Sequence, residues 1–425
     1  MLRRVPPAKV NVRRKCGVKA VRVHRQGEEP QIDEVPAREI AGPGGSGRHV
    51  AVLGAGILGV SAAVQLLRGG ARVTLVTEGH PASGASGRSL SWLNSGGDYP
   101  PDYHQLRLAG IDRYRTLLAR NPDIDWLRFD GGVSWEEGPA LASRYEAQQA
   151  KAYDARLVSG AEIAGMVPGL DRAALPSTVL FNPGEGWVDL PHLIRQLLRE
   201  FALRGGTLVT AAGPTAVAAE GGTAVGLRTG TGTLYPADAV LVAAGAGTPA
   251  ILRPLGLDLL DGSEPALLVV TEPKAHGLRA VLNTPRVSLR PHPGSRLALD
   301  AAWCLDQITQ HDDGGWAVDP QVAQELADEA SALLAGHPRL VPQSWRIGLK
   351  PVPGDGLPAL GPVPGVPGCF VAFTHSGATL GLIAGELLAG EILTGRPHPV
   401  LAPFRPERLL RPASAVSAGP GLAGG

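Results

Sequence analysis

Short apolar runs and helical stripes begin to alternate at His49 and set the organisation of the chain. The run HVAVL, residues 49–53, is apolar and β-branched at two positions, the pattern of a buried strand. GAGILG follows with Gly54, Gly56 and Gly59, and Val60, Val64 and Leu67 then recur at helical spacing until Gly69-Gly70 closes the stretch. ARVTLV, residues 71–76, alternates as a second strand. Strand, glycine turn, helix and strand complete a βαβ unit in about 30 residues, the context in which G-x-G-x-x-G predicts a dinucleotide site. Gly54 permits the tight turn, Gly56 lets a pyrophosphate approach the backbone, and Gly59 lets helix and strand pack closely. The phosphates then sit on the helix N-terminus. Glu78, 19 residues beyond Gly59, supplies a carboxylate for the ribose hydroxyls.

The next segment, PASGASGRSLSWLNSGG at 81–97, offers small side chains and many backbone N–H groups, which suits close approach to a phosphate and a ring system. Its Arg88 fits a phosphate or a substrate carboxylate, and equally a solvated loop. From 98 to about 185 helix and strand patterns mix with aromatic residues, as expected of a second domain. LPHLIRQLLREFALR, 190–204, is a marked helix ended by Gly205-Gly206. ADAVLVAAGA, 237–246, is apolar on both faces and reads as a buried parallel strand. VSLRPHPGSRLALD, 287–300, reads as a hairpin about Pro293-Gly294 with Arg290 and Arg296 on its arms. Near the C-terminus CFVAFT feeds a helix through His375, Ser376, Gly377 and Ala378, which aims a second helix N-terminus at the strand ends.

Charge and composition narrow the classes. Forty basic against 39 acidic side chains leave a formal charge of +1, too balanced for a nucleic-acid binder by charge alone. Three widely spaced cysteines make neither a disulfide framework nor a metal site, and point to a reducing, cytoplasmic location. No run of 18 apolar residues predicts a membrane span. Residues 1–48 carry 11 Lys/Arg and 5 Asp/Glu, lack periodicity, and read as a disordered basic extension or a misplaced start; 396–425 read as a loose C-terminal tail. Arg outnumbers Lys 34 to 6 amid abundant Ala, Gly and Pro, which suggests a bacterial genome rich in G and C.

GAGILG with ASGASGRS, followed in order by AAGAGT, GLKPVPGDGLPALG and THSGATLG, resembles the FAD-dependent D-amino acid oxidase superfamily, especially its glycine oxidase, sarcosine oxidase and D-amino acid dehydrogenase branches. The resemblance runs from His49 to Leu409. It implies an α/β fold: a Rossmann-like FAD-binding domain assembled from discontinuous segments, 49–97, 186–250 and 346–395, and an α+β substrate domain with a mixed or antiparallel sheet, 98–185 and 251–345. FAD would be held non-covalently, because the position of the family's cysteinyl attachment falls near Gly348. Gly54, Ala55, Gly56, Ile57, Leu58 and Gly59 would hold its pyrophosphate, Glu78 the ribose, and Ser86, Arg88 and Ser89 the phosphate and flavin. Val217 would meet the adenine through its backbone, Ala244 and Gly245 would close on the cofactor, and His375, Ser376, Gly377, Ala378, Thr379 and Leu380 would present N–H groups to the flavin pyrimidine edge. His375 also has a purely structural reading.

Three departures from the family pattern matter. The usual ribose acid position is Thr77, with Glu78 one residue later; the carboxylate-gripping GLRP reads GLKP, with Lys350; and the lysine that some oxidases place near flavin N5 is matched by Ala298. A lysine keeps the charge of arginine but loses its bidentate fork. The implied reaction is oxidation of the C–N bond of an amino acid or secondary amine by hydride transfer to flavin N5, the imine being hydrolysed, with oxygen or another electron acceptor completing the cycle. Arg290, Lys350 and Arg346 are the candidate cations for a substrate carboxylate. Oxidation of a 2-hydroxy acid and a non-catalytic flavoprotein subunit are the alternatives, and the oligomeric state stays open.

Overall fold

The computed structural model describes residues 47–136, 138–312 and 314–413. The basic extension up to position 46 and residues 414–425 therefore lie outside the described residues. The five longest helices among the described residues are α1 Ile57–Arg68, α2 Pro101–Arg120, α3 Leu190–Leu203, α4 Pro320–Ala332 and α5 Gly377–Thr394. The expected βαβ unit is the strand His49–Leu53, α1 and the strand Arg72–Val76, whose two strands pair in parallel.

This unit sits inside a six-stranded sheet ordered 359–362, 369–373, 239–242, 49–53, 72–76 and 207–209. All neighbours are parallel except the antiparallel edge strand 359–362. Strand alternation divides the side chains: Val50 and Val52 face the layer built by α1, α3 and α5, while Ala51 and Leu53 face a second cluster with Val217 and Leu227. Burial on both faces explains why HVAVL and AVLV carry no polar residue after His49.

A second, eight-stranded sheet runs 342–350, 264–271, 296–300, 288–292, 281–283, 132–134, 178–182 and 156–159. It is mixed, as expected, because strands 281–283 and 132–134 pair in parallel among otherwise antiparallel neighbours. The hairpin about Pro293-Gly294 forms, with Ser288 opposite Asp300. One face is closed by Val322, Leu326 and Ala330 of α4 against Leu267, Val269, Leu297 and Leu299. By the same alternation Ala266, Ala298, Asp300, Gly348 and Lys350 belong to the opposite face.

Sheet membership moves several expected boundaries. Strand 342–350 lies wholly in the second sheet, so its residues 346–350 leave the FAD-binding segment; α2 lies in the helical core of the first half, with Tyr103, Leu106 and Tyr114 against α5, rather than in the substrate half. The chain body begins before His49, since Arg48 donates to Ile392 O and its carbonyl accepts from Arg72 N–H. The stretch 396–413 is folded rather than loose: Leu401, Phe404 and Leu409 are buried, strand 410–412 pairs with 257–259, and Arg405 binds Glu391 of α5 at 2.8 Å. Its alternating Pro and Arg residues hid this, because 3-10 turns leave no helical period.

The helices approach one another backbone to backbone. A Cβ on Gly59 would lie 1.9 Å from Gly54 O, one on Gly385 would lie 2.4 Å from Ser61 Oγ and 2.7 Å from Ala62 N, and one on Gly110 would lie 2.2 Å from Thr379 O. These glycines seat α1 on its strand, α5 on α1 and α2 on α5. α5 is long and apolar enough to cross a bilayer, yet 61% of that stretch is buried inside the protein, as for a core helix. Gly385→Ala is therefore expected to destabilise the fold by about 1–3 kcal/mol through overpacking. Gly390→Ala, in the same helix but facing open space, should stabilise by about 0.5–1 kcal/mol. Denaturant unfolding of both variants checks the pair.

Candidate active site

The carboxyl ends of strands 49–53, 72–76, 239–242 and 369–373 open onto a cleft of about 850 Å³, closed on its far side by the cleft face of the second sheet. α1 and α5 both begin at this cleft. Neither has a side chain capping its first turn from its N-cap residue, Gly56 or Ser376. At α1, Ile57 N–H donates to Ser86 Oγ at 3.0 Å. At α5, the Ser376 hydroxyl oxygen accepts from Tyr103 Oη at 2.6 Å and from Arg107 Nη1. Two positive helix ends thus share one cavity, the setting for an anionic ligand.

Most of the expected residues meet here. Gly54, Ala55, Gly56, Ile57, Leu58, Glu78, Ser86, Arg88, Ser89, Ala244, Gly245, Lys350, His375, Ser376, Gly377, Ala378 and Thr379 all line the cleft. Thr77 and Glu78 both contribute, Thr77 buried and Glu78 exposed. Gly59 lies just behind, in its helix-to-strand role. Val217 and Leu380 do not line the cleft. Val217 pairs with Leu227 and its side chain turns into an apolar cluster, which does not bear on the backbone contact expected of it; Thr215, two residues earlier, is in the wall. Leu380 is one residue too deep in α5 and is fully buried among the helices.

Arg290 also departs from expectation. Its side chain is 2% exposed and absent from the walls; it donates to Leu90 O and Pro291 O and pairs with Asp189 at 3.3 Å. Asp189 caps α3 and also contacts His192 and His292. Burial would raise this carboxyl, but the two histidines and Arg290 hold it well below the ordinary value. Arg290 is thus a buried tie between the hairpin and α3, with its charge already matched. Ala298 is fully buried and is likewise absent from the walls.

The cleft has residues that pattern reading missed. Arg107, 3% exposed, donates to Asn94 O and lies 4.3 Å from the centre of the Tyr99 ring. Its signal was the one charged position in the stripe Tyr103, Leu106, Arg107, Gly110, Ile111 and Tyr114 of α2. Asp300 lines the cleft from the second sheet, where burial raises its pKa despite the charge of Lys350. Lys350 pairs with Glu264 at 3.0 Å. His375 is held below its ordinary pKa by desolvation and then by Lys350 and Arg107, so its ring is neutral near pH 7. Beside the cleft, fully buried Glu185 accepts from Tyr153 Oη at 2.8 Å, and burial pushes its carboxyl up to about 7.

A parallel sheet ending in two converging helix N-termini, under a second sheet bearing charged residues, is the architecture of a dinucleotide-binding protein. The chain belongs to the FAD-dependent oxidoreductase family, whose model matches residues 49–391. A glycine oxidase of Pseudomonas aeruginosa is 29% identical over 392 residues, covering 84% of this chain and 98% of that protein. The uncharacterized oxidoreductase YurR of Bacillus subtilis is 27% identical over 377 residues, covering 84% of this chain and 97% of its own. The solved iminodiacetate oxidase of Chelativorans sp. BNC1 has the same fold, with a TM-score of 0.69 at 24% identity, covering 84% of this chain and 98% of that one. The chain is thus an FAD-dependent oxidoreductase.

The residues present fit non-covalent FAD. A Cβ at Gly54 would meet Ala243 O at 2.4 Å, so the turn is reserved for bare backbone beside the uncapped start of α1. Cys304 and Cys369 are buried in separate cores, and Gly348 carries the Arg88 side chain where a Cβ would be 2.6 Å from Arg88 Cδ. Gly56→Val should abolish FAD retention while Gly390→Ala retains it, which the visible absorbance of the purified proteins reports. Glu185 binds its proton more tightly folded than unfolded, so its contribution is complete below about pH 4.5 and is lost as pH rises through about 7. Relative to Glu185→Gln, the wild type is expected to lose roughly 2–3 kcal/mol between about pH 5 and pH 8, read from denaturation at each pH.

Proposed function

We propose that the protein oxidises the C–N bond of a carboxylate-bearing amino acid or secondary amine to an imine, which water then hydrolyses. The observation that carries this reading is the position of Lys350: it stands on the second-sheet face that closes the cleft opposite the α5 N-terminus. Bound FAD supplies the two-electron acceptor for this oxidation. The Gly54–Gly59 turn and α1 hold its pyrophosphate, Glu78 its ribose, and the backbone of Val217 meets the adenine, with Thr215 beside it in the wall. Ser86, Ser89 and Arg88 run along the phosphate and ring.

The α5 N-terminus offers unpaired N–H groups and a positive helix end to the electron-rich edge of the ring system. Arg107 and Tyr103 fix that terminus by holding Ser376. Lys350, which unlike Arg290 lines the cleft, shares its charge as a point charge between Glu264 and the substrate carboxylate, with the positive field of Arg107 nearby. Neutral His375 adds no cation beside the amine, which favours the uncharged nitrogen that the reaction needs. The reading is supported by the glycine oxidase relative and by the iminodiacetate oxidase of shared fold, both named for substrates that combine carboxylate and amine.

Anaerobic mixing with glycine, sarcosine, proline, D- and L-alanine, iminodiacetate and simple amines should bleach the flavin absorbance with at least one carboxylate-bearing amine. Absence of bleaching by every amine would reject the reading. Lys350→Ala should weaken binding of the accepted substrate about tenfold or more while flavin content is kept, since one charge-assisted contact is worth about 1.5–3 kcal/mol. Equal titration curves for wild type and variant would remove Lys350 from the role.

A further inference from the structure

The charges around the cleft do not all cancel. Lys350 is paired with Glu264 at 3.0 Å, and Arg290 with Asp189 at 3.3 Å outside the walls. Asp300 has no ion-pair partner within bonding distance among the described residues, although it is half-buried and lines the cleft; the Ala301 backbone N–H donates to its carboxylate, and Lys350, whose ammonium is paired with Glu264, acts on it through space. Its direction is fixed by register. Leu297 and Leu299 turn to α4, Val269 lies opposite Leu299, and Ser288 opposite Asp300, so Asp300 is held on the same face as Ala266, Gly348 and Lys350. A carboxylate in a partly desolvated wall whose neighbouring cation is already shared with a second carboxylate gains when a ligand brings a cation of its own.

We propose that Asp300 is the specificity residue for the substrate's ammonium group, forming with Lys350 a bipolar clamp that admits amino acids as zwitterions and discriminates against 2-hydroxy acids of the same shape. This rests on the amine-oxidation reading above and narrows it. Lys350 meets the carboxylate and Asp300 the cationic nitrogen; burial of Asp300, which weakens its hold on negative charge, lets it accept a proton from that nitrogen and leave a neutral amine. The transfer is balanced: one N–H bond breaks, one O–H bond forms on Asp300, and the nitrogen keeps the electron pair. A hydroxyl in the same place would leave the carboxylate without its counter-charge.

The test uses flavin-loaded enzyme and pairs of probes that differ only in nitrogen against oxygen: sarcosine and methoxyacetate, proline and tetrahydrofuran-2-carboxylate, iminodiacetate and oxydiacetate, alanine and lactate. Dissociation constants are read from perturbation of the flavin spectrum and reduction from anaerobic bleaching. In wild type the nitrogen member of the accepted pair should bind at least tenfold more tightly, a charge-assisted contact's worth. Asp300→Asn should bring that ratio close to one through weaker binding of the nitrogen member alone, with the oxygen member serving as the measure that the cleft is intact. Asp300→Glu should restore part of the preference. If Asp300→Asn keeps the wild-type ratio, the assignment of Asp300 fails while amine oxidation stands. A variant that loses flavin is replaced by Asp300→Glu alone, whose unchanged ratio together with unchanged affinities would equally reject a distance-sensitive clamp. If no nitrogen member bleaches the wild type and hydroxy acids do, amine oxidation and the clamp fall together.

Discussion

Everything in the site depends on how closely α1 and α5 can approach. Gly381 and Gly385 on α5 face Ile57 and Ser61 of α1, at positions where any side chain would collide. Glycine inside a helix costs roughly 0.5–1 kcal/mol relative to alanine, so their presence is a local weakness. It is offset by the geometry gained. Two long helices pack almost backbone to backbone, and their positive ends, separated by more than 300 residues of sequence, open at one cleft. The same close packing admits α2 through Gly110, and with it Arg107 and Tyr103, which hold the start of α5 in place.

The second sheet completes the site by alternation. Along 264–271, 296–300 and 342–350, Leu267, Val269, Leu297 and Leu299 are committed to α4, and Ala266, Asp300, Gly348 and Lys350 of the alternate set reach the cleft. Moving any of these strands by one position would exchange Lys350 and Asp300 for apolar neighbours, so the core against α4 sets the chemistry on the other side. The Arg290–Asp189 pair holds this sheet against the first half: it joins the hairpin to the cap of α3, and a hydrogen bond to Leu90 O reaches a residue of the cleft wall. A buried cation of this kind is read most easily as a ligand clamp. Its partners decide otherwise.

What the sequence made legible follows from the range of each signal. The βαβ unit, the helix at 190–204, the parallel strand near 240 and the hairpin near Pro293 are written in periods of two or 3.6 with glycine stops, all within a few turns of chain. The glycine and serine positions that line the cleft were legible because a glycine-rich turn between strand and helix is diagnostic by residue type. Asp300 and Arg107 were hidden. Each is a charge in a largely apolar pattern, and which face it occupies is fixed by a distant partner, strand 264–271 for one and α5 for the other. The fold of 396–413 was hidden too, because the 3-10 turns at 399–408 have too few residues to show a period.

The order of the first sheet has a consequence for how the protein is made. Strand 239–242 lies between 49–53 and 369–373, so the cleft has no complete wall until residues near 374 have left the ribosome. At about 5–20 residues per second, the glycine turn at Gly54 waits tens of seconds for the helix that will face it. During that interval the strand at 239–242 has one edge unpaired and apolar on both faces. The cleft that takes the cofactor is thereby assembled only after the strand at 369–373 and the start of α5 have been made, and a ligand that binds the closed cleft favours the state in which that strand and helix are in place.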